Sequence, residues 1–443
     1  MRAGLPQGPP YPSLIQGIGM WTRPLAFLER CRARYGKRFT VRLPLTPSFV
    51  MITEPEQVKE VYTAPADVLH PGEGAKVLQP IVGSNSVILL DEDAHMEQRK
   101  LMLPAFHGDR IERLTGLVRE VTEREVSGWD GTLESQPLFQ SLTLEIILRA
   151  VFGLDPGTRL DVLRDRLSRL LAYGDSPITL LPEPSERIQR LFSRGGPLKG
   201  FLELREEIDR QLFELIDERR ADSAGRDDVL AMLLDARHED GSEMSAQELR
   251  DELMTLLVAG HETTASTLAW AFERLSREPR VLATLADEVR RGEEESYLTA
   301  TIQETLRRRP VLPNTAPRMV KQPVEVGGWS YPTGVCLVAS AYLLHHDADV
   351  YPDPYAFRPE RFLDEQPGTY SWIPFGGGRR RCLGSSFAML EIKVVIASLL
   401  RAFELQAVGS PHEPPRRRQI TVRPAHGARV ELARSPDRVE APA

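Results

Sequence analysis

The segment Phe375–Gly384, with the sequence FGGGRRRCLG, constrains the fold of this chain more than any other part. Its glycines, Gly376–Gly378, let the backbone turn tightly and approach a flat ligand closely, because they lack a Cβ atom. Cys382 directly precedes a predicted helix, whose N-terminal N–H groups would lower the pKa of a thiol and hold a thiolate. A buried cysteine or a flexible glycine loop would explain each half of the segment, but not their combination. The segment therefore predicts a loop that presents a thiolate to a flat ligand.

The composition limits the class of protein that contains this loop. The chain has 443 residues, with 41% hydrophobic and 27% charged residues, which is ordinary for a globular protein with a core large enough to enclose a cofactor. The net charge of −7 argues against nucleic acid as a partner. Cys31, Cys336 and Cys382 are too few for a disulfide framework, which indicates a reducing compartment. No stretch approaches the roughly 20 apolar residues of a membrane span, so we expect a soluble, cytoplasmic protein without an integral membrane anchor.

The pattern along the chain predicts a single domain over residues 1–443, mainly α with small β-sheets, that is, an α+β fold. The capping box Ser245-x-x-Glu248 opens an apolar helix that runs without proline to a point just before Pro279, a length of about 30 residues or ~45 Å. Residues 1–19 are predicted to be an extended lead-in and 434–443 a disordered tail. Residues 420–423 and 428–432 are predicted to form a final hairpin, 329–332 a turn, and 168–205 a mobile lid.

The cysteine segment matches Phe-x-x-Gly-x-Arg-x-Cys-x-Gly at every fixed position. This is the haem-binding signature of the cytochrome P450 family, and on it the chain resembles a bacterial-type member. The resemblance implies the P450 fold, with the long central helix and the helix after the cysteine sandwiching heme b (iron protoporphyrin IX). It also implies that Cys382 is the iron ligand, that Phe375 shields the sulfur from water and that Arg380 pairs with a propionate.

A second motif agrees with this resemblance. Glu304 and Arg307 lie three residues apart on one face of a predicted helix, where taken alone they would be an ordinary surface pair. They fit the family's Glu-x-x-Arg motif, and the segment Pro359–Phe362 resembles the one that supplies a second arginine. The resemblance implies that Glu304, Arg307 and Arg361 form a buried structural triad that fixes the cysteine loop.

The long helix carries the third motif, Ala259–Thr264, which resembles the oxygen-activation motif of the family. Gly260 has no side chain, so a planar ring is expected to lie flat against the helix there. Thr263 is expected to bond back to a carbonyl and open a local kink. By resemblance, Glu262 and Thr263 deliver protons to bound dioxygen. The pair His261-Glu262 does not indicate a zinc protease, because position 265 is alanine and not histidine.

Further cations are expected around the ring, because a buried haem dianion needs several of them. His95 and Arg99 have the spacing of a residue pair that binds haem propionates in the family, although the family often has tryptophan where this chain has His95. Arg318 follows Pro310 in a strand where the family places another such cation. A solvated surface charge is the alternative for each of these residues.

The resemblance implies a monooxygenase reaction and external electrons, because no Gly-x-Gly-x-x-Gly segment indicates a flavin or nicotinamide domain. We expect a ferredoxin or flavodoxin with its reductase to dock, and the protein itself to be a monomer. The basic docking face is predicted at Arg99, Lys100, Arg110, Arg379 and Arg381.

The small or aliphatic residues of the predicted pocket favour an apolar substrate such as a fatty acid, terpenoid or steroid. The pocket is predicted at Ser86, Val87, Leu257, Ala259, Leu312, Asn314 and Ile420. The alternatives are a haem-thiolate peroxygenase or isomerase, which would not need the Glu262-Thr263 pair, and a haem sensor, which would usually carry an output module.

Overall fold

Helices make up most of the chain in the computed structural model, which describes residues 4–106, 109–173, 197–222, 226–292 and 295–435. Those before residue 200 are α1 (Ser13–Thr22), α2 (Pro24–Tyr35), α3 (Pro55–Thr63), α4 (Pro71–Gly74), α5 (Gln79–Val82), α6 (Glu92–Met102), α7 (Asp109–Val126), α8 (Ser135–Ala150), α9 (Thr158–Ala172) and α10 (Pro197–Ala221). The later ones are α11 (Val229–Asp235), α12 (Ala246–Leu275), α13 (Pro279–Arg291), α14 (Ser296–Arg308), α15 (Ala341–His345), α16 (Arg361–Asp364) and α17 (Ser385–Ala402).

Helix α12 is the predicted long helix, and it has 30 residues. Its capping box is present: the Ser245 hydroxyl accepts from the Glu248 N–H at 3.1 Å, and the Glu248 carboxylate accepts from the Ser245 N–H at 2.8 Å. Helices α8, α14 and α17 pack around it, so it is buried on most sides. Despite its length, neither α12 nor any other helix in the described ranges is apolar enough over a sufficient span to cross a membrane.

Among the described residues, short strands form four small sheets. They are β1 (Arg38–Arg42), β2 (Ser48–Ile52), β3 (Leu69–His70), β4 (Gly131–Glu134), β5 (Arg318–Val320), β6 (Val324–Val326), β7 (Trp329–Tyr331), β8 (Cys336–Ala339), β9 (Phe403–Ala407), β10 (Pro415–Arg418), β11 (Thr421–Pro424) and β12 (Arg429–Arg434). The largest sheet has the order β1-β2-β8-β5-β3, and only its β2–β8 pairing is parallel. The others are β4-β12-β9, β10-β11 and β6-β7. The mainly helical α+β fold with small sheets is therefore confirmed.

Some local predictions were wrong. The last hairpin is made by β10 and β11, whereas β12 pairs with β4 and β9. Residues 329–331 form strand β7 and not a turn, because Gly327 and Gly328, both with positive φ, make the turn before it. The lead-in contains helix α1, and β12 continues through Arg434. Most of the predicted lid, 174–196, and the tail after Ser435 lie outside the described residues.

Candidate functional site

The cysteine loop closes on itself before helix α17 begins. Cys382 donates its N–H to the Phe375 carbonyl at 3.0 Å, and the Phe375 ring lies 5.9 Å from that of Trp372. Cys382 is exposed, whereas Cys31 and Cys336 are buried. The pKa of the Cys382 thiol is nevertheless raised, since desolvation by the surrounding protein outweighs the Gly384 N–H and the nearby arginine charges. The N–H group and the arginine charges thus act in the predicted direction, but burial outweighs them.

The glycines of the loop serve two purposes: they form the turn, and they make room for Tyr62. Gly376 and Gly378 have φ of 66° and 62°, which favours glycine. A Cβ atom on Gly377 would collide with the Tyr62 ring, and one on Gly378 with the Tyr62 carbonyl oxygen. Tyr62 lies in α3, so the loop is clamped against that helix. Close approach to helix α3, and not only to a flat ligand, explains the glycine run.

Four cationic or titratable side chains converge beside this loop. The pKa of His95 falls to about 3, first through burial and then through the positive charges of Arg380, Arg99 and Arg318. Arg380 pairs with Asp91 at 2.7 Å and donates to the carbonyls of Val87 and Leu90. In the described part of the chain, Arg99 and Arg318 have no carboxylate partner. Such an excess of positive charge is suited to an anionic ligand.

The oxygen-activation motif is divided between two faces of α12. Ala259 is exposed and Thr263 partly exposed, and the Thr263 hydroxyl donates to the Ala259 carbonyl at 2.6 Å. The helix stays continuous through this position, so the expected opening of the helix was wrong. A Cβ atom on Gly260 would lie 2.9 Å from Cδ1 of Ile147 in α8. Gly260 therefore permits helix–helix packing, and its role as a flat surface for a ring stays a prediction.

The acidic residue of the motif points away from Thr263. The Glu262 carboxylate accepts from Arg418 of β10 and from Gln140 of α8, each at 2.7 Å. The neighbouring His261 is buried, with its Nδ1 2.9 Å from the Thr143 hydroxyl, and burial lowers its pKa to about 3. Arg418 was missed because it lies in a run of arginines, which is typical of a solvated segment.

The predicted triad is brought together. Arg307 donates to both oxygens of the Glu304 carboxylate, at 2.6 and 2.8 Å, and both side chains are fully buried. Arg361 Nε lies 3.4 Å from the same carboxylate. Arg307 also donates to the His345 carbonyl, and Nε2 of His345 accepts from the Ile373 N–H at 2.9 Å. His345, which the sequence interpretation missed, thus connects the triad with the segment that leads into the cysteine loop.

The predicted pocket residues separate into open and closed positions. Ala259 and Ile420 are exposed, and Leu312 and Asn314 are partly exposed. Ser86 and Leu257 are completely buried and Val87 nearly so, which makes them packing residues; their assignment to an open pocket was wrong. Leu256 and Val258, which were not predicted, are partly exposed neighbours of Ala259 on α12.

These residues fit a haem. Cys382, an exposed residue, offers the thiolate sulfur that binds iron in haem-thiolate proteins. The cations beside the loop offer partners for two propionates, and Arg99 and Arg318 retain donors for them. Arg380 is the exception, because its hydrogen bonds already go to Asp91 and to two carbonyls.

The predicted docking face is basic, but one of its cations, Lys100, forms an ion pair with a carboxylate. Arg379 and Arg381 are exposed beside the cysteine loop. Lys100 forms an ion pair with Glu239 at 2.7 Å. Arg110 lies in helix α7, and its side chain is outside the described part. A basic surface therefore exists beside the cysteine loop at Arg379 and Arg381.

Comparison with known proteins gives one consistent picture. The model of the family described as Cytochrome P450 matches residues 6–432. Cytochrome P450 135B1 of Mycobacterium tuberculosis is 39% identical, over 98% of this chain and 92% of that protein. Cytochrome P450 138 of Mycobacterium bovis is 38% identical, over 96% of this chain and 95% of that protein.

A solved structure agrees with this similarity at the level of the fold. It is described as retinoic acid bound cyanobacterial CYP120A1, and it superimposes with a TM-score of 0.84 at 21% identity, covering 98% of this chain and all of that one.

Proposed function

This chain belongs to the cytochrome P450 family, whose members are haem-thiolate monooxygenases, and we propose that it inserts one atom of O2 into an apolar organic molecule. The other oxygen atom leaves as water after the uptake of two electrons and two protons. The observation that carries the proposal is the exposed Cys382 in a loop beside Arg99 and Arg318, which have no carboxylate partner in the described residues. The whole chain is proposed to act as one domain, because α12 packs against elements from both halves of it.

The cofactor is proposed to be heme b, held by Cys382 as the iron ligand. When bound, such a thiolate-ligated haem supplies the activation of O2 and the attack on the substrate. His95, Arg99 and Arg318 are the proposed propionate partners, because neutral His95 offers a hydrogen-bond donor and the two arginine charges beside it have no carboxylate partner in the described residues. Arg380 is proposed to act mainly by fixing the segment 87–91.

Proton delivery is proposed to depend on Thr263 and Glu262. The Thr263 hydroxyl lies on the open face of α12 and keeps its proton directed at the Ala259 carbonyl. The Glu262 carboxylate is held by Arg418 and Gln140, so it must exchange one of these partners before it can pass a proton to Thr263. Arg418 and Gln140 thus keep the Glu262 carboxylate away from Thr263 until one of these hydrogen bonds is broken.

The substrate is inferred from the side chains of the predicted pocket, and the electron donor from the basic surface beside the cysteine loop. Apolar side chains at Ala259, Leu312 and Ile420, together with Leu256 and Val258, support an apolar substrate such as a fatty acid, terpenoid or steroid. Exposed Arg379 and Arg381 next to the cysteine loop support docking of an acidic ferredoxin or flavodoxin, supplied by its reductase.

The proposal is tested on the reduced protein with carbon monoxide. The protein with native Cys382 should give the strongly red-shifted haem band of a thiolate ligand, and Cys382→Ser should lose it. Cys31→Ala, at a buried position in α2, is the control and should keep the band. An unshifted band in the native protein, or an unchanged band in Cys382→Ser, would show that the iron ligand is wrong.

Turnover separates the monooxygenase from the alternatives. Product should form with NADPH and a surrogate ferredoxin system, and it should incorporate ¹⁸O from ¹⁸O2. Thr263→Ala should divert the consumed electrons to hydrogen peroxide, whereas Thr264→Ala, its buried neighbour, should not do so to the same degree. Product formation from hydrogen peroxide alone, with none from O2 and electrons, would indicate a peroxygenase instead.

A further inference from the structure

Helix α1 exposes its apolar face. Leu14, Ile15 and Ile18 are 64%, 52% and 57% exposed, and their spacing places them on one side of the helix. A surface helix normally turns such a stripe towards the core. Exposed apolar patches on folded proteins usually mark a surface that contacts another body.

The opposite face of α1 attaches the helix to the rest of the protein, although Leu14, Ile15 and Ile18 are exposed. Its buried residue is Gln16, which is 1% exposed and donates to the carbonyls of Pro9 and Tyr11. The side-chain Oε1 atom of Gln16 accepts from the Arg42 N–H at 2.9 Å. The polar bonds of Gln16 and the packing of Met20 against the core therefore anchor α1, whereas its leucine and isoleucines are mostly exposed.

The apolar surface continues beyond α1 into the turn between β1 and β2. Leu45, at the tip of this turn, is 79% exposed. The preceding Pro44 lies against α1, because a Cβ atom on Gly17 would meet the Pro44 ring at 3.1 Å. Two separate segments thus present apolar side chains at neighbouring positions.

The segments that form this surface carry charges of one sign. Residues 1–28, 30–53 and 414–430 contain no aspartate or glutamate, although the whole chain has more acidic than basic residues, 63 against 56. Arg23 ends α1, and Arg42 and Arg416 are exposed. Arg417 donates to the Met20 carbonyl of α1 at 3.1 Å, which places the β10–β11 hairpin beside the helix. The apolar stripe is thus flanked by arginines in a protein of negative net charge.

We propose that α1, the turn at Leu45 and the flanking arginines dock this protein on the surface of an anionic lipid bilayer. Leucine and isoleucine side chains insert at the boundary between headgroups and acyl chains, and arginines bind the anionic headgroups. A second copy of the chain fits the surface less well, because a two-fold contact would bring the same arginines together. The docking is peripheral and does not depend on the reaction proposed above.

The experiment is cosedimentation of the purified full chain with large vesicles. Vesicles of phosphatidylcholine with phosphatidylglycerol should bind the protein, those of phosphatidylcholine alone should bind it more weakly, and added salt should reduce the difference. The variant Leu14→Gln, Ile15→Gln, Ile18→Gln keeps good helix-forming residues. It should lower the lipid partition constant by about tenfold or more.

Matched variants identify the surface. Leu363→Gln changes an exposed leucine in α16 and should leave the partition constant unchanged. Arg42→Gln with Arg416→Gln should remove most of the preference for phosphatidylglycerol. Thermal unfolding of each variant shows that it is folded.

Three results would overturn the proposal. They are no binding of the native chain to either vesicle, equal binding of the α1 variant, and an equal loss in Leu363→Gln. A dimer in sedimentation velocity that the α1 variant abolishes, without lipid binding, would assign the surface to a second copy instead.

Discussion

Arg418 and Glu262 form an ion pair at 2.7 Å across 156 residues of sequence, and both side chains are nearly buried. The same guanidinium donates to the Leu171 carbonyl at 3.0 Å, near the end of α9. Glu262, the acid next to Thr263, is therefore held by an arginine of the β10–β11 hairpin, which also contacts α9 at the start of the predicted lid.

Removal of the cation should destabilise the protein. In Arg418→Gln, the Glu262 carboxylate keeps only Gln140 of its two partners. Loss of one member of a buried pair costs about 3 kcal/mol, and urea unfolding should show a fall of that size in the free energy of unfolding. Arg416→Gln, at an exposed position of the same strand, is the control and should stay within about 0.5 kcal/mol. Equal stability of Arg418→Gln and the native protein would contradict a stabilising pair.

Two pairs with the same sequence spacing should behave differently. Glu304 and Arg307 are fully buried, whereas Asp287 and Arg290, also three residues apart, are each about 60% exposed. Glu304→Gln should cost about 3–5 kcal/mol, or prevent folding, because it leaves the buried arginine uncompensated. Asp287→Asn should change the free energy of unfolding by less than about 0.5 kcal/mol. Similar losses for the two variants in chemical denaturation would show that burial is not the cause.

Helix bounds and short motifs could be predicted well, because they depend on residues that are close together in the sequence. The capping box at Ser245 and the proline at 279 delimit α12 almost to the residue, and the cysteine loop and Glu304–Arg307 pair were found from their spacing. Glycines and prolines in the first 19 residues obscured α1, since those residue types lower helix propensity.

Long-range partners carry no local signal. The hairpin at the C-terminus was assigned to the nearest strands, but β12 pairs with β4, which lies about 300 residues earlier. The same limit applies to the site, where Glu262 meets Arg418. A motif identifies the residues of a site, but packing decides towards which neighbouring element each residue faces. Gly260, for example, faces Ile147 of α8.

That packing can be measured in a double-mutant cycle. In Gly260→Ala, the gain in helix propensity of about 1 kcal/mol should be exceeded by the contact of the new Cβ atom with Cδ1 of Ile147, since overpacking costs about 1–3 kcal/mol. Ile147→Val removes that Cδ1 atom. The double variant should therefore be more stable than the sum of the single effects predicts, by about 1 kcal/mol in thermal or chemical unfolding. Additive effects would show that the two residues do not contact each other.

The pH dependence of stability should reveal the buried carboxyl of Glu252. Its Oε1 accepts from the Val87 N–H at 2.7 Å, and burial raises its pKa from the ordinary 4.5 to about 8. Because the pKa is higher in the folded state, the stability from this group is complete below pH 4.5 and is lost as the pH rises towards 8. Glu252→Gln keeps an acceptor for Val87 and cannot ionise. Its free energy of unfolding relative to the native protein should therefore rise between pH 5 and pH 8.5, by about 3 kcal/mol. A difference that stays constant over this range in urea titrations would mean that Glu252 is already ionised in the folded protein at pH 5.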